Sequence, residues 1–299
     1  MGTELIQIAP SAPRRKRPDW LKVRMPGGEN YFELKGLMRG LNLHTVCESA
    51  RCPNIGECWG HRTATFMILG NQCTRRCGFC AVPKGLPHGE VDSEEPERVA
   101  RAAQVMGLRY VVVTSVDRDD LKDGGAGIFA DTITALRRAI PQVKVEVLIP
   151  DFRGLDGALE AVLDANPDIL NHNTETVPRL YPVARRGSRY ERSLRLLARS
   201  REVNPEIPTK SGLMAGLGET FEEICFVLKD LAAAGVSIVT IGQYLRPSGE
   251  QLPVARFYSP EEFAALKKEG ERAGIRHVES GPLVRSSYHA HEQTAALTQ

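Results

Sequence analysis

The chain has 299 residues, 42% of them hydrophobic, enough for the core of one sizeable domain with extensions. Its 39 basic and 37 acidic residues nearly cancel to +2, which argues against a broad nucleic-acid-binding surface. No run of about 18 apolar residues is present to span a membrane, and the basic run Arg14-Arg15-Lys16-Arg17 lacks the neighbouring apolar segment of an export signal, so the expected location is the cytoplasm.

Residues 1–60 contain proline, glycine, scattered charge and three cysteines without a regular apolar period, and read as an N-terminal extension folded around a metal site. The basic run has two readings, a solvated lead-in or a docking patch for an acidic protein partner. From residue 61 to 280, short β-branched runs alternate with helical periods. The runs at 65–69, 110–114, 143–149, 168–173, 209–213 and 237–241 are apolar and mostly lack period-two alternation, as expected of parallel strands covered on both faces. Ser93 is expected to cap a helix through Val99 and Ala103. Thr220-Phe221-Glu222-Glu223 and Ser259-Pro260-Glu261-Glu262 read as capping boxes, with Gly235 closing the helix that Thr220 opens. Further helices are expected near 128–140, 155–165 and 191–203. Six strand–helix repeats point to a partial (βα)6 TIM-type barrel, with a doubly wound sheet as the alternative. Residues 281–299 read as a short C-terminal tail.

Six of the seven cysteines lie between Cys47 and Cys80, an arrangement that suits metal binding better than a disulfide framework. Cys225, alone in an apolar helical stretch, reads as a small buried hydrophobe. The clustered cysteines form two triplets, Cys47-x4-Cys52-x5-Cys58 and Cys73-x3-Cys77-x2-Cys80. Structural zinc usually takes four protein ligands, whereas three thiolates on a four-iron cluster leave one iron open to an outside ligand. The spacing therefore favours iron–sulfur clusters, with a zinc-stabilised, non-enzymatic interaction domain as the competing reading. The second triplet follows the first barrel strand, in the loop Gly70-Asn71-Gln72-Cys73. Polar residues fall at other strand ends: Ser115 and Asp117 after the second, His172, Asn173 and Glu175 after the fourth, and Gln243, Tyr244 and Arg246 after the sixth. In βα barrels such ends converge on one mouth. The glycine-rich stretches 123–127 and 216–220 complete neither a P-loop nor a dinucleotide fingerprint, and read as helix entries or close backbone approaches.

Cys73-x3-Cys77-x2-Cys80, with Phe79 before the last cysteine, resembles the signature of the radical S-adenosylmethionine enzymes. That resemblance implies a partial βα barrel and a 4Fe-4S cluster whose open iron binds S-adenosylmethionine and cleaves it to a 5′-deoxyadenosyl radical. Cys47-Glu48-Ser49-Ala50-Arg51-Cys52-Pro53-Asn54-Ile55-Gly56-Glu57-Cys58 and Val284-Arg285-Ser286-Ser287-Tyr288-His289-Ala290 resemble motifs of the lipoyl synthase family. Segments 114–120, 171–176 and 242–247 are similar to that family as well, and the likeness runs from about Pro18 to Ala290.

The family resemblance implies a second 4Fe-4S cluster on Cys47, Cys52 and Cys58, with a serine of the tail as fourth ligand. Ser287 is favoured by position in the motif and Ser286 is the alternate. It further implies that this cluster supplies two sulfur atoms to C6 and C8 of an octanoyl chain. That chain is amide-linked to a lysine of a lipoyl carrier protein, a lipoyl domain or H-protein, and the electron comes from a donor such as ferredoxin or flavodoxin. Carbons with no acidic proton and no leaving group offer nothing to acid–base or nucleophilic catalysis, so cofactor radical chemistry suits them. A relative inserting sulfur into a small molecule is the other enzymatic reading. For S-adenosylmethionine itself, the expected shell is Asn71, Ser115, Asp117, Asn173, Glu175, Gln243 and Tyr244, with Arg186 pairing the carboxylate. Arg185 and Arg186 together have a second reading, as a face toward an acidic carrier.

Overall fold

The computed structural model describes residues 16–23, 25–61, 63–87, 91–288 and 290–295. Arg14 and Arg15 of the basic run, with His88 and His289, lie outside the described residues. The N-terminal extension forms α1 (Glu29–Gly40), a two-residue strand β1 (His44–Thr45), and the short helices α2 (Val46–Ser49) and α3 (Ile55–Gly60). The barrel begins with β2 (Thr65–Ile68), α4 (Glu95–Val105), β3 (Tyr110–Ser115), α5 (Ala126–Ala139), β4 (Lys144–Leu148) and α6 (Ala158–Asp164). It continues through β5 (Ile169–Asn171), α7 (Tyr181–Ala184), α8 (Tyr190–Val203), β6 (Thr209–Ala215) and α9 (Phe221–Ala233). Then follow β7 (Ile238–Gln243), α10 (Pro260–Arg272), β8 (His277–Gly281) and, in the tail, α11 (Ala290–Ala295).

The sheet runs β1 to β8 in sequence order. Neighbours from β2 to β8 are parallel, and only β1 is antiparallel, pairing His44 with Met67 and Thr45 with Phe66. Among the described residues β8 does not pair with β1, so the barrel is partial. No helix among them is long and apolar enough to cross a membrane.

The six expected strands are present as β2–β7, and β8 makes a seventh parallel strand. Its sequence, His277-Val278-Glu279-Ser280-Gly281, buries only Val278, so no apolar run announced it. It is a strand because the open edge of β7 offers backbone partners from Ile238 to Gly242. β1 was likewise too short to read, yet it fastens the extension to the barrel. The α4 cap is also corrected. The helix starts at Glu95 with Pro96 in its first turn, and Asp92 Oδ1, not Ser93, accepts the Glu94 N–H at 3.0 Å. Both capping boxes form as expected, at Thr220 and Ser259. α9 ends in a Schellman motif, with Gly235 at φ 77° and Val236 N–H donating to Leu231 O at 3.0 Å.

Alternate residues of β4 show how the barrel is filled. Val145 and Val147 pack outward in the helix-covered core, while Glu146 points inward and pairs with Lys210 of β6 at 2.9 Å, both side chains fully buried. Asn171 Nδ2 and Tyr110 O–H also donate to Glu146, at 3.0 and 2.8 Å, which leaves no buried charge unpaired in this layer. Two residues further along the same strands, Leu148, Asn173 and Gly212 line a cavity. The ion pair is therefore its floor.

Candidate active site

The cavity has a volume of ≈ 580 Å³ and opens at the C-terminal ends of the strands. Its first wall is the loop after β2. Leu69 (φ 67°) and Gly70 (φ 87°) turn the chain sharply, and buried Glu95 accepts the Leu69 N–H at 2.7 Å. Cys73 then joins a one-bridge ladder, its N–H donating to Pro83 O at 2.9 Å and its carbonyl accepting from Gly85 at 3.0 Å. Between Cys73 and Cys77, Arg75 is buried at 4% exposure. It reaches Asp117 (3.3 Å), Asp119 (2.9 Å) and Asp151 (2.5 Å), and donates to Ser188 Oγ at 2.9 Å. Gly78 is clamped from both sides: its N–H donates to Ala184 O and its carbonyl accepts from Leu252, both at 2.9 Å. A Cβ there would lie 2.6 Å from Val183 O.

The triplet Cys47, Cys52 and Cys58 stands on the extension. Thr45 Oγ1 accepts the Glu48 N–H and so caps α2, which carries Cys47. Cys52 N–H donates back to Cys47 O at 3.0 Å, and Cys58 N–H on α3 donates to Asn54 O at 2.9 Å. The tail folds over this motif. Asn54 Nδ2 donates to Leu283 O at 2.8 Å, and Tyr288 O–H donates to Glu57 Oε1 at 2.9 Å. Arg285, Ser286 and Ser287 thereby reach the cavity that Cys47, Cys52, Cys73, Cys77 and Cys80 also line. Cys58 stands beside Cys47 and Cys52 without lining it.

All seven cysteines are unpaired by disulfides. Burial, then the neighbouring Asp117, pushes the Cys73 and Cys77 thiols up to about 12. Burial, then the thiols at Cys47 and Cys52, does the same to Cys58, and burial with Cys52 holds Cys47 at about 11. Thiols crowded in this way become thiolates only against strong positive charge, which bound iron supplies. Among the described residues no three His, Cys, Asp or Glu side chains converge as ligands of a single metal ion. A four-iron cluster takes its thiolates spread around a larger body than a single ion. The donor set fits such a cluster at each triplet.

Around Cys73, Cys77 and Cys80, Ser115, Asp117, Asn173, Glu175, Gln243 and Tyr244 line the cavity as expected. Ser115 Oγ and Asn173 Oδ1 are buried without a hydrogen-bond partner among the described residues, so they are open to a ligand. Asn173 Nδ2 donates to Glu175 Oε1 at 3.1 Å. Gln243 and Tyr244 are committed to the protein itself. Gln243 bonds Tyr244 O, Arg256 O and the Tyr258 N–H, and the Tyr244 hydroxyl donates to Leu252 O at 2.8 Å.

Two expected residues stand outside the cavity. Asn71 is exposed, because the left-handed turn at Leu69 and Gly70 carries it to the surface. Arg186 points away from the cavity, and Arg185 faces it instead. Arg185 closes the last turn of α7, donating its backbone N–H to Tyr181 O at 2.9 Å, and so lies on the buried side with Tyr181. The α7 turn is too short to show a period, so only the spacing of four from Tyr181 hinted at this. The Arg185 guanidinium donates to three neutral acceptors, Ser193 Oγ (2.8 Å), Tyr181 Oη (3.1 Å) and His172 Nε2 (3.4 Å). His172 donates from Nδ1 to Ile149 O at 2.9 Å, and burial followed by the Arg185 charge holds its pKa at about 3. A neutral imidazole thus orients a buried cation that has no carboxylate ion pair among the described residues. The sequence reading gave Arg185 only a place with Arg186 on a face toward an acidic carrier, and it passed over Arg75 and the clearance glycines Gly78, Gly212 and Gly242.

Comparisons with known proteins agree with this geometry. The family model of the Radical SAM superfamily matches residues 67–231. The model for the N-terminal domain of lipoyl synthase of the radical SAM family matches residues 6–52. The lipoyl synthase of Koribacter versatilis is 61% identical over 301 aligned residues, which cover 100% of this chain and 98% of that protein. That of Rubrobacter xylanophilus is 60% identical, covering 98% of this chain and 91% of its own. Among solved structures, methylornithine synthase (PylB) superposes with TM-score 0.53 at 13% identity, covering 75% of this chain and 72% of that one. Streptococcus suis SuiB bound to its precursor peptide gives TM-score 0.54 at 13% identity, covering 76% of this chain and 52% of SuiB. At that identity the structures speak for the fold alone, whereas the full-length relatives speak for the activity. Use of S-adenosylmethionine and of iron–sulfur chemistry follows from the family. The chain belongs to the lipoyl synthase family, the sulfur-inserting enzymes of the radical S-adenosylmethionine superfamily.

Proposed function

We propose that this chain inserts sulfur at C6 and C8 of an octanoyl chain amide-linked to a lysine of a lipoyl carrier protein, using two four-iron clusters, one on each cysteine triplet. The observation that carries the reading is the meeting of both triplets at one cavity, with Cys47 and Cys52 lining it beside Cys73, Cys77 and Cys80. At Cys73, Cys77 and Cys80 the resident cluster supplies, when bound, the electron that cleaves S-adenosylmethionine and so gives access to unactivated C–H bonds.

The residues of the chain bind, orient and exclude water. Arg185, held by Tyr181, Ser193 and His172, meets the carboxylate of S-adenosylmethionine in place of Arg186. Ser115 and Asn173 offer unused hydrogen-bonding atoms to its polar groups, and Glu175 stands next to Asn173. Met67, Val116, Leu148, Ile149 and Met214 give the cavity an apolar side suited to an acyl chain. Cys47, Cys52, Cys58 and Ser287 hold the second cluster, which is spent as the sulfur substrate. An oxygen ligand on a soft site binds less firmly than a thiolate and suits a cluster that must come apart. Lipoyl domains or H-protein are the carriers, and an acidic ferredoxin or flavodoxin is the electron donor. We place the protein in the cytoplasm, where thiols stay reduced.

Iron and acid-labile sulfide per chain on anaerobically reconstituted protein test the cluster assignment. About eight of each are expected, and zinc without sulfide would overturn the reading. The double variant Cys47→Ala/Cys52→Ala is expected to keep about four irons and to form 5′-deoxyadenosine without thiolated product. A further expectation concerns Gly212, where an added Cβ would lie 2.6 Å from Asn173 Oδ1 and 3.0 Å from Thr240 Oγ1. Gly212→Ala should swing Asn173 away and weaken S-adenosylmethionine binding about tenfold, roughly 1.4 kcal/mol, as read by calorimetric titration. An unchanged Kd would remove Asn173 from the binding site.

A further inference from the structure

The turn between α7 and α8 has two faces. Arg185 and Ser188 line the cavity on one side and, on the other, an open hollow of ≈ 360 Å³. Arg186 and Arg189 line only this outer hollow, and both are exposed. Neither makes an ion pair among the described residues, and the one acid in the hollow's lining is Glu191. Pro182, exposed in the same lining, adds an apolar contact.

This hollow backs directly onto the loop that carries Cys73, Cys77 and Cys80. Ala184 O accepts the Gly78 N–H at 2.9 Å, one residue from Cys77. Arg75, also in that loop, donates to Ser188 Oγ at 2.9 Å, and its neighbour Arg76 is exposed. A single hydrogen bond therefore separates the surface turn from the backbone that carries Cys77. An acyl chain cannot pass this wall, since Arg185 and Ser188 fill it. An electron can.

We propose that the hollow is the docking seat of an acidic one-electron carrier protein that reduces the cluster on Cys73, Cys77 and Cys80. The inference rests on the function proposed above. The positive rim attracts the acidic partner and sets its orientation, and Pro182 in the lining supplies an apolar contact. One electron leaves the carrier, which is oxidised, and arrives at the cluster, which is reduced. No proton or bond is exchanged.

The test compares reconstituted wild-type protein with the double variant Arg186→Glu/Arg189→Glu. Binding of an acidic ferredoxin, measured calorimetrically at low salt, is expected to weaken about tenfold or more, with the difference shrinking as salt is raised. Ferredoxin-driven formation of 5′-deoxyadenosine should fall in parallel at sub-saturating ferredoxin, while the dithionite-driven rate stays unchanged. Arg186→Lys/Arg189→Lys should retain most of the binding. Unchanged ferredoxin affinity in the Glu variant would overturn the proposal. So would a raised KM for the octanoylated carrier with ferredoxin binding intact, since that would make the hollow the carrier's seat. Failure of dithionite to drive any cleavage in the wild type would instead sink the proposed function and leave the binding result to stand on its own.

Discussion

Replacing Arg75 by methionine is expected to cost about 3–5 kcal/mol of folding stability, the usual penalty for stripping one partner from a buried charge cluster. Arg75 is the cation shared by Asp117, Asp119 and Asp151, and Asp151 is fully buried. Methionine fills much of the volume but leaves these carboxylates with Arg192, 3.2 Å from Asp151, as the remaining ion-pair cation among the described residues. Urea denaturation of the anaerobic protein reads the loss, and iron content reads the accompanying slackening of the loop between Cys73 and Cys77. Arg75→Lys should recover only part, because an ammonium cannot reproduce the fork that bonds Asp119 through Nε and Nη2. The pH dependence has a definite sign. Burial opposes ionisation of Asp151, yet the Arg75 charge and hydrogen bond win and hold its pKa at about 2, below the usual 3.8. Its contribution is thus complete above the ordinary aspartate range and is lost as pH falls through about 2. In the variant, protonation relieves the unpaired charge, so the gap from wild type should narrow in acid. A gap that is absent at neutral pH would show that the loop does not depend on Arg75.

The second large effect is expected at Gly242, far from either cysteine triplet in sequence. A Cβ built there lies 2.0 Å from Val284 O, 3.0 Å from Val284 C and 3.1 Å from Arg285 Nη1. Two of these are backbone atoms that cannot rotate aside, so Gly242→Ala must lift the tail from the end of β7. Ser286 and Ser287 would then leave the cavity. Displacement of a site element by about 1 Å can cost 10²-fold in rate, so sulfur insertion should drop at least about that much. Iron should fall from about eight toward about four, while formation of 5′-deoxyadenosine stays within a few-fold of wild type. Gly281→Ala is the control. Its added atom would meet only the Val284 Cγ2 methyl at 3.3 Å, which can give way. If Gly242→Ala kept both its iron and its product yield, the tail would have no part in the second site.

How much of this was legible in the chain depended on the range of the interaction. The capping boxes at Thr220 and Ser259 could be read because their hydrogen bonds close within three residues. The buried strands β2–β7 showed as apolar runs because both their faces are covered. β8 did not, since it owes its conformation to the edge of β7 more than to its own residues. The cysteine triplets were legible through spacing, but the ion cluster around Arg75 was not, for its partners come from the ends of two other strands. Arg185 and Arg186 are adjacent and alike in chemistry, and only the end of α7 decides which one faces inward. The clearances at Gly212 and Gly242 left no trace either, because a glycine does not say whether it permits a turn or a close neighbour.

The join between the tail and the extension also sets the order of events in the life of the protein. Asn54 bonds Leu283 across 229 residues and Glu57 bonds Tyr288 across 231. Contacts of such separation close late, after the intervening barrel has formed. During synthesis Cys47, Cys52 and Cys58 emerge long before Ser287, so the site proposed for them is completed only when the tail closes onto the extension.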